Sequence, residues 1–303
     1  MRNTFITHLK HLASSDPNIW LLTGDLGYSV LDAFAKEFPE RYINMGIAEQ
    51  NMIGVATGIA LEGQKTFVYS IANFPTFRCL EQIRNDVCYH NANVKIVSVG
   101  AGLAYGTHGY THYGIEDLAV MRTLPNMTIL SPADPREAKR CAEIAVSING
   151  PVYVRLGKNG EPHIHNADLD FSVGDILPVF TSNSETIILS TGSICYEAVS
   201  AAQKLKSLGH NVSVYSVPTI KPFNINSLKN ILTGVTRIIT LEEHVSSGGL
   251  YGIVCETLQT LGLSIRVNSL AVPENIKIIG TQKYLLKELG LDAEGICKYL
   301  RNA

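Results

Sequence analysis

The chain has 303 residues, enough for two ordinary domains, and its 46% hydrophobic and 17% charged content excludes a disordered polypeptide. A net charge of −2 with no Lys/Arg block argues against a nucleic-acid groove or an anionic-membrane patch. No apolar run approaches the ~20 residues that span a bilayer, and Met1-Arg2-Asn3-Thr4 leads into an amphipathic segment rather than a signal peptide, so a cytoplasmic location is expected.

Helical periodicity covers Phe5–Ala13, and the first strand is predicted at Ile19–Leu22. Further strands are predicted at Tyr42–Asn44, Thr66–Tyr69, Val94–Val99, Thr128–Leu130 and Val152–Arg155. Helical patterns near Asn51–Leu61, Leu80–Cys88, Ile115–Thr123 and Pro135–Ile148 separate them. Runs such as Val94-Lys95-Ile96-Val97-Ser98-Val99 are continuously apolar in character, as expected when helices cover both faces of a parallel sheet. Asp134 before Pro135 reads as a helix cap followed by a first-turn proline. Gly157–Pro178 loses periodicity and reads as a linker.

A second set follows: strands at Thr186–Ser190, Val212–Val217, Arg237–Leu241 and Ile265–Leu270, with helices at Tyr196–Leu208, Ile225–Leu232, Tyr251–Leu261, Tyr284–Leu289 and Ala293–Leu300. The fold expected is α/β: a doubly wound parallel-sheet domain over residues 1–165, a linker over 166–179 and a smaller α/β domain over 180–303. Six scattered cysteines form no Cys-x-x-Cys pair and have no histidine at zinc spacing. They read as small hydrophobes of a reduced, intracellular protein, and no metal site is expected in this chain.

The stretch Asn44-Met45-Gly46-Ile47-Ala48-Glu49-Gln50-Asn51-Met52 carries the strongest chemical signal. It reads as a strand end, a glycine turn and a glutamate at the mouth of an apolar helix. A carboxyl group there is poorly solvated and rigidly aimed, suited to binding a ligand or moving a proton. From spacing alone, a helix-capping glutamate is the favoured reading. His108 and His112 share the glycine-rich loop Tyr105-Gly106-Thr107-His108-Gly109-Tyr110-Thr111-His112, where backbone can approach a ligand and imidazole can move protons near neutrality.

Several motifs then line up in order. They are Thr23-Gly24-Asp25-Leu26, Gly46-Ile47-Ala48-Glu49-Gln50, Phe74 and Phe77, Gly109-Tyr110-Thr111-His112 with Glu116-Asp117, and Leu124-Pro125-Asn126-Met127. Glu242-Glu243-His244 with Gly248-Gly249, and Gly290-Leu291-Asp292-Ala293-Glu294-Gly295, complete the set. Together they resemble the transketolase family of thiamine diphosphate enzymes, specifically the pyrimidine-binding and C-terminal domains of transketolase and 1-deoxyxylulose-5-phosphate synthase. The resemblance implies that Glu49 hydrogen-bonds the aminopyrimidine ring nitrogen and moves the activating proton. It implies that Phe74, with Phe77 beside it, packs on that ring, and that Asp25 lies near the cofactor. His112 would face the substrate and assist proton transfer, with His108 in the same loop. Ser29, Arg155 and Lys158 would lie toward the substrate phosphate. Arg2 falls at the spacing of a phosphate-binding arginine, although a solvated terminal charge is the simpler reading. The chain departs from the family at His108, where aspartate is usual, at Gly100, where transketolase has a histidine, and at Gly157, which in one alignment takes the phosphate-binding position.

The family's diphosphate motif, Gly-Asp-Gly with a later asparagine, is absent; Gly24-Asp25-Leu26 and Gly174-Asp175-Ile176 do not replace it. The resemblance therefore implies a split enzyme. This chain would be the C-terminal subunit, and a separate N-terminal subunit would carry the diphosphate site and its Mg2+ or Ca2+, with two of each in the assembly. The expected reaction is transfer of a ketol unit from a ketose phosphate to an aldehyde. The beta subunit of a 2-oxoacid dehydrogenase decarboxylase, a decarboxylating synthase and a non-catalytic scaffold subunit stay open as alternatives.

Overall fold

Each predicted strand of the first half forms, and their order places one edge of the sheet at the service of a ligand. The computed structural model describes residues 1–302. Helix α1 (Arg2–Ser15) precedes β1 (Ile19–Thr23), α2 (Asp32–Glu37), β2 (Tyr42–Asn44), α3 (Glu49–Leu61) and β3 (Lys65–Ile71). Next comes the short α4 (Leu80–Gln82), continued by a π-helical turn over Ile83–Tyr89, where the sequence suggested one regular helix. Then follow β4 (Val94–Val99), α5 (Asp117–Thr123), β5 (Thr128–Leu130), α6 (Pro135–Ser147) and β6 (Val152–Leu156).

The second half supplies β7 (Leu177–Phe180), β8 (Thr186–Thr191), α7 (Cys195–Ser207), β9 (Ser213–Ser216), β10 (Thr219–Lys221) and α8 (Ile225–Ile231). It closes with β11 (Arg237–Glu242), α9 (Leu250–Leu261), β12 (Arg266–Leu270), α10 (Gln282–Glu288) and α11 (Ala293–Asn302). No helix among the described residues is long and apolar enough to cross a membrane.

Two sheets result. The first has the order β10-β5-β6-β4-β3-β1-β2 and the second β12-β11-β8-β9-β7. Pairing is parallel except at one edge of each, where β10 lies antiparallel to β5 and β7 antiparallel to β9. Two sequence expectations change here. The segment expected as linker carries β7, which pairs with Ser213–Ser216. Thr219–Lys221, from the second half of the chain, completes the first sheet. One apolar cluster runs continuously from Met52 and Ile53 through Leu118 and Ile129 to Ile187, Leu250 and Ile253, so the two halves share a core.

The segment between the sheets is pinned rather than loose. Asp134 caps α6 by accepting from the Arg136 and Glu137 amides, satisfying two amides that have no partner inside the helix. Its other oxygen accepts from the Ile164 and His165 amides. His165 in turn meets the buried Glu137 carboxylate at 2.8 Å. Burial opposes charge on His165, but the hydrogen bond and charge of Glu137, aided by Asp134, prevail and push its pKa above the ordinary 6.5. A histidine raised on folding stabilises fully below its unfolded value, and that contribution is lost as pH rises through the folded value. His165→Gln should therefore lower the melting temperature more near pH ~5.5 than near pH ~9. An equal loss at both pH values would show that the pair carries no charge.

Candidate active site

The candidate residues gather at the carboxyl ends of the parallel strands, the edge where open α/β sheets bind ligands. Asp25 and Ser29 follow β1, Glu49 follows β2, Phe74 and Phe77 follow β3, His108 and His112 follow β4, and Lys158 follows β6. Gly46, with φ 68°, turns the chain so that α3 begins at Glu49. Gly24 faces this turn: a Cβ there would lie in ordinary contact, 3.5 Å from the Gly46 carbonyl and 3.6 Å from Cγ of Glu49.

Glu49 is 3% exposed. Its Oε2 accepts from Nη1 of Arg78 at 2.8 Å, and Oε1 accepts from no group among the described residues. A carboxyl oxygen left without a protein donor on a largely buried residue is open to a ligand's polar group. The Arg78 guanidinium also lies 4.7 Å above the Phe74 ring centroid. Phe74 meets the His112 ring edge-on at 5.3 Å, and His112 stands 4.9 Å from His108. Phe74, the more exposed Phe77, Arg78, Tyr110 and Glu116 line one cleft of about 560 Å³. Asn73 fixes the opposite wall by donating to the carbonyls of Thr111 and Tyr113 at 3.1 and 2.7 Å. Tyr110 donates to Glu116 at 2.7 Å, a bond that raises its own pKa.

Burial, and then the neighbouring charge of His108, lower the His112 pKa. A neutral imidazole beside an aromatic wall can accept or donate a proton near neutral pH. Behind the pair, Tyr105 packs edge-on to both histidines, at 5.7 Å from His108 and 6.2 Å from His112. Its ring occupies the space that any side chain at Gly100 would need. The departure from the family at Gly100 thus has a physical counterpart: the tyrosine fills the place. Lys158 is exposed, with its ammonium 4.9 Å from the Tyr105 ring centroid.

Asp25 is exposed and holds a left-handed backbone, φ 55°. Asn44 donates to it at 3.0 Å and Tyr28 at 2.9 Å; these bonds, Asn44 first, hold its carboxyl below the usual range. Ser29, also left-handed at φ 63°, anchors its amide on Asp32. Both lie on the same rim, one strand removed from the Phe74–His112 wall.

Arg155 is the correction. Expected as a phosphate ligand, it is 2% exposed and fully committed within the protein. Nε donates to Asp117 at 2.8 Å, and Nη2 donates to the carbonyls of Gly114 and Glu243 at 2.6 and 2.9 Å. On a strand its side chain alternates with Val154 and Leu156, and that alternation turns it into the interface between the two halves. There it meets the buried Glu242-Glu243-His244 motif. Glu242 caps α9 by accepting from the Leu250 and Tyr251 amides at 2.7 and 2.9 Å, while burial pushes its pKa up to about 7. Glu243 accepts from the Leu103 amide at 3.0 Å and Gln282 at 2.9 Å. His244 accepts from the Ala119 amide at 3.3 Å. The motif is an interdomain fastening, not part of the cleft.

Fold and cleft together define a pyrimidine-binding domain joined to its C-terminal companion. The chain belongs to the transketolase family, whose members depend on thiamine diphosphate: residues 1–161 match the transketolase pyrimidine-binding domain and residues 177–296 the transketolase C-terminal domain. Across 98% of its length it is 37% identical to one of the subunits of the apulose-4-phosphate transketolase of Phocaeicola vulgatus, covering 95% of that polypeptide. It is 30% identical to the 6-deoxy-6-sulfo-D-fructose transketolase subunit SqwH of a Clostridium species, with 98% and 92% covered. A solved split-gene transketolase, an inactive beta4 tetramer, superposes with a TM-score of 0.88 at 35% identity, covering 100% of this chain and 97% of that one.

Four residues of the cleft region escaped the sequence reading as site members: Asn73, Arg78, Tyr105 and Tyr110. Arg78 adjoins Phe77, and a basic residue beside the aromatic pair is the one signal that could have revealed it. Tyr105 was hidden because its role comes from the missing side chain at Gly100.

Proposed function

We propose that this chain is the C-terminal subunit of a split transketolase that moves a ketol unit from a ketose phosphate to an aldehyde. A second polypeptide would hold the diphosphate and its divalent cation, with two copies of each subunit. The observation that carries the reading is Glu49: a carboxyl group with little exposure and one unclaimed oxygen, at the strand ends, joined through Arg78 to the Phe74 face of the cleft. When bound, the thiazolium ring supplies the electron sink for carbon–carbon cleavage, and the protein supplies positioning. Glu49 would exchange a proton with the ring nitrogen through Oε1, giving it and taking it back, and Phe74 would pack on the pyrimidine with Phe77 beside it. Asp25, on the same rim, would lie near the cofactor with its carboxylate braced by Asn44. His112, kept neutral, would hydrogen-bond the substrate carbonyl and move its proton, with His108 beside it toward the substrate hydroxyls. Ser29 and Lys158 would face the substrate's anionic end, Lys158 as a point charge.

The relatives named above act on sugars carrying a phosphate or a sulfonate, which favours a substrate with an anionic terminus. The pair should be assayed with thiamine diphosphate and magnesium against a pentose phosphate plus an aldehyde, and separately against pyruvate. Ketol transfer requiring both subunits is the expected result. Carbon dioxide release from pyruvate without ketol transfer would instead make it a 2-oxoacid decarboxylase subunit. Inertness of the loaded pair toward both would favour a scaffold.

A further inference from the structure

Resting on the assignment of the cleft to an aminopyrimidine, we propose that Arg78 is a gate built into the site. Its guanidinium takes both places that the ring would take, and it must swing out before the ring can stack. A planar nitrogen heterocycle needs an aromatic face to lie on and a carboxyl group at its edge. Arg78 satisfies the same two demands: its guanidinium carbon lies 4.7 Å from the Phe74 ring centroid, and its Nη1 reaches Glu49 at 2.8 Å. Guanidinium shares with such rings a flat, delocalised, N–H-bearing shape. The unclaimed Oε1 of Glu49 gives a ring a foothold, but the face of Phe74 admits only one occupant.

The arrangement has a reason. Without a cation, Glu49 would be a buried carboxylate with no partner, which is costly. Arg78 offsets the charge of Glu49 until a ligand arrives. The geometry also permits opening at small cost. Arg78's backbone carbonyl is fixed by Gln50 Nε2 at 2.9 Å, while its side chain is 47% exposed. Side-chain rotation into solvent opens the gate, and the backbone stays in place.

A gate closed most of the time weakens apparent affinity by the fraction of molecules that are open. Calorimetric titration of thiamine diphosphate with magnesium into the reconstituted pair tests this. Arg78→Met should bind about fivefold more tightly than the parent, the gain expected when a half-exposed competing pair worth ~1 kcal/mol is removed. Arg78→Lys, charged but not planar, should fall between them. Unchanged or weaker cofactor binding in Arg78→Met, with an unaltered melting curve, would overturn the gate. Unchanged affinity with a raised KM for the donor would make Arg78 a substrate contact instead. Should Arg78→Met fail to fold, an Arg78→Lys pair binding no tighter than the parent decides against the gate. No binding by the parent pair overturns the cleft's assignment and the gate with it.

Discussion

Glu49→Gln in the reconstituted pair should cut turnover by about 10²- to 10⁴-fold, the contribution of one positioned acid–base group. Glutamine keeps the shape and one oxygen acceptor but cannot take up and return a proton. The fold should survive, because the side chain is the first residue of α3 and its partner Arg78 is half-exposed, so the lost ion pair is worth little. The measurement is kcat alongside cofactor affinity and melting temperature. A large fall in kcat with cofactor still bound is the expected signature. Near-normal turnover would sink the role given to Glu49, and with it the assignment of the cleft.

The largest effect on stability should come from Arg155→Met. It leaves Asp117 buried at 0% exposure with its cation gone, removes the Glu243 carbonyl's donor, and leaves the Gly114 carbonyl with the Gly102 amide alone. Breaking a buried ion pair from one side typically costs about 3–5 kcal/mol. Asp117 is already strained for partners, since its Oδ1 has none among the described residues. A urea midpoint shifted down at constant slope is the expected readout. The double variant Arg155→Met/Asp117→Leu should recover much of the loss, because the stranded charge disappears as well. A variant that keeps its stability and instead raises KM for phosphorylated donors would return Arg155 to the phosphate site.

What the sequence revealed and concealed follows physical lines. Strands such as Val94–Val99 were legible to the residue because continuous, largely apolar runs between helices have one stable arrangement. Glu49, Phe74 and His112 stood out because ordered motifs tie them together; Phe74 and His112 lie side by side, and Arg78 bridges Phe74 to Glu49. Arg155 misled because an arginine at a strand end looks the same whether it faces solvent or an interface; only the second half of the chain, supplying the Glu243 carbonyl, decides. β10 was invisible because it follows the strand ending at Ser216 after only two residues and pairs with β5, far off in sequence. The π-helical turn over Ile83–Tyr89 was read as a regular helix because its apolar positions suit either winding.

The crossing of Thr219–Lys221 into the sheet built by the first half changes what counts as a movable part. A chimaera that exchanged only the segment matched as the C-terminal domain would bring a foreign edge strand to lie against Thr128–Leu130. Conversely, expressing the first 161 residues alone would leave that edge with unpaired amides and carbonyls, an invitation to aggregate. The smallest portion that can be shuffled between relatives without a raw seam is the chain as a whole.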